Sequence, residues 1–250
     1  MVRPVSAALA RCELSFVARE AIDLARAHAQ HDAYVDALRA RGCSIVALAP
    51  LDDYPDSVFV EDTALVFDEL AVTTRPGATS RRGEVDSVAA ALARFRPLSR
   101  IEGEGTLDGG DVLRIGKEVY VGASARSNAE GIAQLRALLA PHGYRVHALP
   151  TRDCLHLKSA VTRVSEDAVL VQPRWLDPAP FAHLRCIEVD ASEEHAANAL
   201  LVGGGIVYPD CFPRTREKLE RAGVEITAVD VSELQKAEGA VTCCSLVFAG

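Results

Sequence analysis

Apolar residues along this chain alternate between helical and strand periods. Over residues 20–41, Ile22, Ala25, Ala29, Tyr34, Val35 and Leu38 share one helical face and Gly42 ends the run, which predicts an amphipathic helix. Ser44–Leu48 is a short apolar stretch and reads as a strand. Ala64–Phe67 and Leu70–Thr74 read as a hairpin. A second helix is expected from Glu84 to Phe95, with Val85, Val88, Leu92 and Phe95 aligned. The plan then recurs. A strand at Glu118–Val121 leads to Ser127-Asn-Ala-Glu130, a capping-box pattern that opens a helix carrying Ile132, Leu135, Leu138 and Leu139. Pro141 and Gly143 close it. Further strands are expected at Tyr144–Leu149, Ala168–Val171, Cys186–Val189, Ile206–Tyr208 and Val224–Val229, with a last helix at Arg214–Ala222. The apolar run Val241–Phe248 completes the set as a buried strand.

The same pattern can be written as five variations on one unit. In each, a strand and a loop lead to a polar residue at the head of a second strand. The head residues are Asp62, Asp108, His156, Asn198 and Cys243, spaced 46, 48, 42 and 45 residues apart. A period in this range is the mark of a repeat architecture, and units that each supply a sheet around an axis form a propeller. Helices inside several units make it a five-bladed α/β propeller, one closed domain over 1–250. In such a fold the heads converge on a central channel.

That convergence changes the meaning of Cys243. Taken alone, Cys243 and Cys244 fit two small buried hydrophobes, the usual state of free cysteine, and neighbouring cysteines rarely reach disulfide geometry. Beside His156 and a carboxylate, a cysteine becomes an activated nucleophile. Asp56, Glu61 and Asp111 add negative charge to the channel. Arg81, Arg82 and Arg126 stand on adjoining loops, where a guanidinium fork can clamp a carboxylate. A substrate cationic at one end and anionic at the other, such as an arginine-like amino acid, fits both features.

Composition narrows the class without altering it. The 250 residues are 49% hydrophobic and 25% charged, a globular balance. No apolar run reaches the ~20 residues of a membrane helix, and the N-terminal stretch is too short and broken for a signal peptide. Seven cysteines without a CxxC pair suit a reducing cytoplasm. A net charge of -8 argues against nucleic acid as a partner. Gly203-Gly-Gly205 lacks the Lys-Ser/Thr of a phosphate loop and reads as a turn.

At the level of motifs, Phe59-Val-Glu-Asp62, Thr74-Arg-Pro-Gly77, Ser80-Arg-Arg82, Leu107-Asp-Gly-Gly-Asp111, Ser127-Asn-Ala-Glu-Gly131, Leu155-His-Leu-Lys158, Ala197-Asn198 and Thr242-Cys-Cys-Ser245 resemble the dimethylarginine dimethylaminohydrolases of the guanidine-modifying (pentein) superfamily. The resemblance runs from about Glu13 to Phe248. It implies the five-bladed α/β propeller and hydrolysis of Nω-methylated arginine to citrulline plus methylamine or dimethylamine. By motif, it implies Cys243 as nucleophile, His156 as general acid and base, and Asp108 as the acid that orients His156. Asp62, next to Glu61, would bind the guanidinium. Arg81 and Arg126 would take the substrate carboxylate. Asp56 and the carbonyls of Leu14 and Ala237 would take the α-amino group, with Leu14 on a mobile lid. Some bacterial members carry Glu where this chain has Asp108.

The resemblance implies no cofactor, a small-molecule partner in methylated arginine, and a monomer or homodimer. A zinc ion captured by Cys243 would inhibit by occupying the nucleophile. Two other readings stand beside it: another guanidine-modifying enzyme such as arginine deiminase or an amidinotransferase, and a non-catalytic arginine-binding or thiol redox protein. The first usually carries His-x-Asp, whereas this chain has His156-Leu-Lys158. The second is disfavoured by the presence of Cys243, His156 and Asp108 together.

Overall fold

The computed structural model describes residues 1–250. Its fifth blade is the one that closes the ring, and both chain ends build it. The Met1 ammonium donates to the Leu246 carbonyl at 2.7 Å and the Leu246 N–H donates back to Met1. Val2 then pairs in parallel with Ala47. Helix α1 (Leu24–Ala40) makes the crossover between them. Its start is set by Asp23, whose carboxylate accepts the Arg26 N–H, and its end by Gly42, at φ +85°. Residues 20–22, expected in the helix, lie ahead of this cap as irregular chain. The tail 241–248 forms no regular strand. It turns tightly at 241–244 and meets Met1 only at Leu246. Likewise 44–48 contributes a bridge rather than a full strand.

The other four blades are three-stranded sheets of one topology, an antiparallel hairpin followed by a parallel third strand. The first holds β1 (Ala64–Val66), β2 (Ala71–Thr73) and β3 (Leu98–Arg100), with helix α2 (Val85–Leu92) in the crossover. The second holds β4 (Val112–Ile115), β5 (Glu118–Ala123) and β6 (Arg145–Pro150), with α3 (Ala129–Leu139). The third opens with the single turn α4 (Leu157–Ala160) and holds β7 (Val161–Arg163), β8 (Ala168–Val171) and β9 (Arg185–Glu188). The fourth holds β10 (Leu200–Val202), β11 (Gly205–Pro209) and β12 (Ile226–Val229), with α5 (Pro213–Arg221) between the last two. A short α6 (Ser232–Gln235) leads to the cysteine tail.

Parallel pairing requires a crossover, and the helical segments supply it while burying one apolar face against their own sheet. In the second blade Ile132, Leu135 and Leu139 of α3 pack on Val119, Val121 and Val146, each buried leucine contributing about 2 kcal/mol of transfer free energy. The N-cap of α3 is Asn128, which accepts the Gly131 N–H at 2.8 Å. The Ser127–Glu130 capping box does not form, because the Ser127 hydroxyl is drawn to Asp111. No helix is long and apolar enough to cross a membrane.

Candidate active site

The polar heads sit in or beside tight turns rather than on strands. Asp62 lies in the 3-10 turn Val60–Thr63 before β1, and Asp108 caps the turn Gly109–Asp111 before β4. His156 precedes α4, Asn198 precedes β10, and Cys243 lies in the turn before Leu246. A turn lifts the side chain off the sheet and aims it along the propeller axis, which a strand residue pointing to one face cannot do.

Asp56, Asp62, Arg81, Arg126, His156, Ala237 and Cys243 all line one cleft, closed on its outer side by Glu13 and Glu238. Its free volume is about 20 Å³, room for a water molecule and not for an amino acid. Asp108 stands behind His156, with Oδ2 3.1 Å from Nε2. Its other oxygen accepts the Gly77 N–H at 2.8 Å, so the carboxylate is held from both ends and fixes the ring. Asp62 Oδ1 lies 3.9 Å from the same ring nitrogen and accepts the Gly110 N–H at 2.9 Å. Burial opposes a charged imidazole, but Asp62, the Asp108 hydrogen bond and Asp111 outweigh it and lift His156 to about 9. The paired cations His156 and Arg81 in turn hold Asp62 ionised against its burial. At neutral pH, His156 is therefore an acid ready to donate.

Cys243 is half-buried. Desolvation first, then the charges of Glu61 and Asp62, push its thiol up to about 12. At neutral pH Cys243 therefore rests as a thiol. Asp62, Asp108 and His156 hold their donor atoms mutually within 4.8 Å, and Cys243 is not part of that group. Cys244 is fully buried, its sulfur directed to the Ala240 carbonyl, and it packs in the core.

Several expected residues fall elsewhere. Glu61 does not line the cleft. Its carboxylate binds Lys158 Nζ and accepts the Thr242 hydroxyl at 2.8 Å, bracing the turn that carries Cys243. Asn198 completes that brace, donating to the Lys158 carbonyl and the Thr242 hydroxyl and accepting the Thr242 N–H. Asp111 is taken up by the Ser124 and Ser127 hydroxyls and the Leu157 N–H. Arg82 bonds the Pro76 carbonyl. Leu14 borders the cleft only through its neighbour Glu13, whose N–H donates to Asp56 Oδ2 at 3.1 Å. Arg81 is buried and strongly engaged: Nη1 donates to Asp62 at 2.6 Å, while Nε and Nη2 serve Glu84 and the carbonyls of Asp56 and Phe59. One N–H of Nη1 is left for a ligand.

Gly110 is a site residue that the motif Leu107-Asp-Gly-Gly-Asp111 contains but to which sequence reasoning gives no role. A β-carbon there would lie 2.5 Å from His156 Nδ1 and 2.9 Å from Asp62 Oδ1. Gly77 has the same role one layer out, where a β-carbon would meet the Arg126 backbone at 2.6 Å. Gly110→Ala must displace the imidazole, so kcat should fall on the order of 100-fold with little change in Tm. Steady-state rates and a thermal melt check both. A rate within threefold of the parent would mean that the ring has room to spare.

The family model described as N,N dimethylarginine dimethylhydrolase, eukaryotic, matches residues 11–179. Over 248 residues the chain is 44% identical to the N(G),N(G)-dimethylarginine dimethylaminohydrolase of Streptomyces coelicolor, a match covering 98% of this chain and 95% of that protein. The structure of the Pseudomonas aeruginosa enzyme, a cysteine-to-serine mutant complexed with citrulline, superposes with a TM-score of 0.95 at 37% identity, covering 99% of this chain and 97% of that one. A dimethylarginine dimethylaminohydrolase with histidine replaced by glycine, solved as an adduct with S-methyl-L-thiocitrulline, superposes with a TM-score of 0.95, also at 37% identity, covering 99% and 98%. With the family model spanning well over half the chain and a relative this similar over nearly its full length, the chain belongs to the dimethylarginine dimethylaminohydrolase family.

Proposed function

We propose that this protein hydrolyses Nω-methylated and Nω,Nω-dimethylated L-arginine to L-citrulline, releasing methylamine or dimethylamine. The observation that carries the reading is the cleft's lining: the Cys243 thiol, the His156 imidazolium and the Asp62 carboxylate share it with Arg81, Arg126 and Asp56, groups of both signs. That mixture matches a substrate with a guanidinium at one end and an amino acid at the other. The citrulline complex and the thiocitrulline adduct of the relatives support the same substrate class and a covalent route.

Asp62 accepts the guanidinium N–H groups and turns the central carbon to Cys243. The guanidinium charge replaces the thiol proton, which leaves to solvent, because a nearby cation favours the thiolate. Sulfur adds to the carbon. The bond to the alkylated nitrogen then breaks, and His156 gives that nitrogen its proton. A thiouronium-type adduct remains on Cys243. Neutral His156 takes a proton from water, whose oxygen adds to the same carbon, and the carbon–sulfur bond breaks to release citrulline. Arg126 and the spare Nη1 N–H of Arg81 hold the α-carboxylate. Asp56 and the carbonyls of Leu14 and Ala237 hold the α-ammonium. These groups all come from one chain, and the steps call for no cofactor.

Lys158 is held back by Glu61 and does not line the cleft, so no acid grips the distal guanidinium nitrogens from that position. Purified protein given arginine, methylarginine, dimethylarginine and methylated agmatine should form citrulline from the two methylated amino acids alone. Amine and ammonia analysis reads the result. Rapid ammonia release from arginine with dimethylarginine inert would overturn the assignment, and equal turnover of the agmatine derivative would overturn the carboxylate clamp.

A further inference from the structure

Residues 13–22 run as irregular chain beside the cleft, and one side chain from the far end of the sequence fastens them. The Glu238 carboxylate accepts the N–H groups of Ser15 at 2.9 Å, Val17 at 2.8 Å and Phe16 between them. Three consecutive amides converging on one carboxylate form an anion nest filled from within the protein. Charge-assisted bonds of this kind are among the stronger polar contacts. Glu238 also holds φ at +57°, just after α6, at a turn that glycine or asparagine usually occupies. Local backbone preference does not explain a glutamate there. What it reaches does.

We infer that Glu238 is the positioning residue for recognition of the substrate's α-amino group, acting through the Leu14 peptide; the inference rests on the functional reading above. The N–H that Glu238 holds on Ser15 belongs to the same planar peptide unit as the Leu14 carbonyl. In a trans peptide the two point in opposite directions, so fixing the N–H fixes the carbonyl. Two peptide units earlier, Asp56 takes the Glu13 N–H. Leu14 is thus flanked by two carboxylate-bound amides, those of Glu13 and Ser15. Hydrogen bonding at the N–H also polarises the peptide and makes its carbonyl a better acceptor for an ammonium group. Ala237, whose carbonyl is the partner acceptor, is the residue immediately before Glu238 and lines the same cleft. One residue therefore aligns both carbonyls: Ala237 through the chain and Leu14 through the nest. Arg126 adds a bond from Nη2 to the Ser15 hydroxyl at 3.1 Å, tying the carboxylate clamp to the same segment.

The test uses Glu238→Ala and Glu238→Gln, the second keeping length and an acceptor oxygen without the charge. In ligand-free protein, hydrogen exchange at the amides of Ser15, Phe16 and Val17 should quicken at least tenfold in Glu238→Ala and less in Glu238→Gln, with α3 amides unchanged. The sole tryptophan, Trp175, lines a neighbouring cavity of about 350 Å³ with Phe16 and Val17, so its emission should report the released segment. With methylarginine, KM should rise about tenfold in Glu238→Ala while kcat stays within threefold. With the analogue lacking only the α-amino group, parent and variant should have equal kcat/KM, so the parent's preference for the amino substrate collapses. Unchanged exchange at residues 15–17 would overturn the inference, as would equal losses on both substrates. The exchange and emission measurements need no turnover. If the parent proves inactive on methylarginine, that result counts against the functional reading alone, and the exchange data still decide what Glu238 holds.

Discussion

Replacing Cys243 with serine should lower turnover of dimethylarginine on the order of 10⁴-fold or more, whereas Cys244→Ser should stay within a few-fold of the parent. The difference follows from how each sulfur is held. Cys243 faces the cleft and its thiol, at about 12, is already poorly ionised without substrate. Only about one molecule in 10⁵ carries the thiolate at pH 7 before a guanidinium enters. A serine hydroxyl starts several further units from ionisation, and the same cation cannot make up that distance. Cys244 is fully buried and points its sulfur at the Ala240 carbonyl. Rates from purified variants, with intact-protein mass after a rapid acid quench, settle the point. An adduct on peptides carrying Cys244 in the Cys243→Ser protein, or residual turnover near parental levels, would remove Cys243 as the nucleophile.

The spacing of Asp62, Asp108, His156, Asn198 and Cys243 is enough to read the five-fold plan, because four blades repeat the same hairpin and parallel crossover. Local detail failed where a distant residue overrode local preference. Val241–Phe248 has strand composition, yet a short apolar run does not separate a strand from buried irregular chain. Here Asn198 and Glu61 seize Thr242 and force a turn. The part played by Met1 in closing the ring has no signature in its own neighbourhood. Ser127 looked like a helix cap until Asp111, sixteen positions earlier, took its hydroxyl. The expected negative centre is also not simply negative. Arg81, Lys158 and the His156 imidazolium are threaded among the acids, and these pairings span 19, 97 and 48 residues. Gly110 and Glu238 escaped notice for opposite reasons. One acts by having no side chain, and the other acts on backbone more than two hundred residues away.

Removing His156 should cost on the order of 10³-fold in turnover of dimethylarginine, since general acid and base contributions each fall in the range 10²–10⁴. The pH profile tests its role more sharply than the loss of rate. In the proposed mechanism the reactive state combines a Cys243 thiolate with a His156 imidazolium, and the imidazole, at about 9, loses its proton before the thiol does, at about 12. Below 9 the imidazolium is nearly complete and the thiolate scarce, so kcat/KM of the parent should climb about tenfold per pH unit. Above 9 each further gain in thiolate is matched by an equal loss of imidazolium, and the profile should flatten. His156→Gly has no imidazolium to lose, so its small residual kcat/KM should keep rising through pH 9 without a break. A substrate whose leaving group departs without a proton should still acylate this variant, and the adduct should then accumulate on Cys243 because the base for its hydrolysis is gone. A parent profile that levels off near pH 6–7, or a variant that turns over dimethylarginine within tenfold of the parent, would mean that some other group moves the proton.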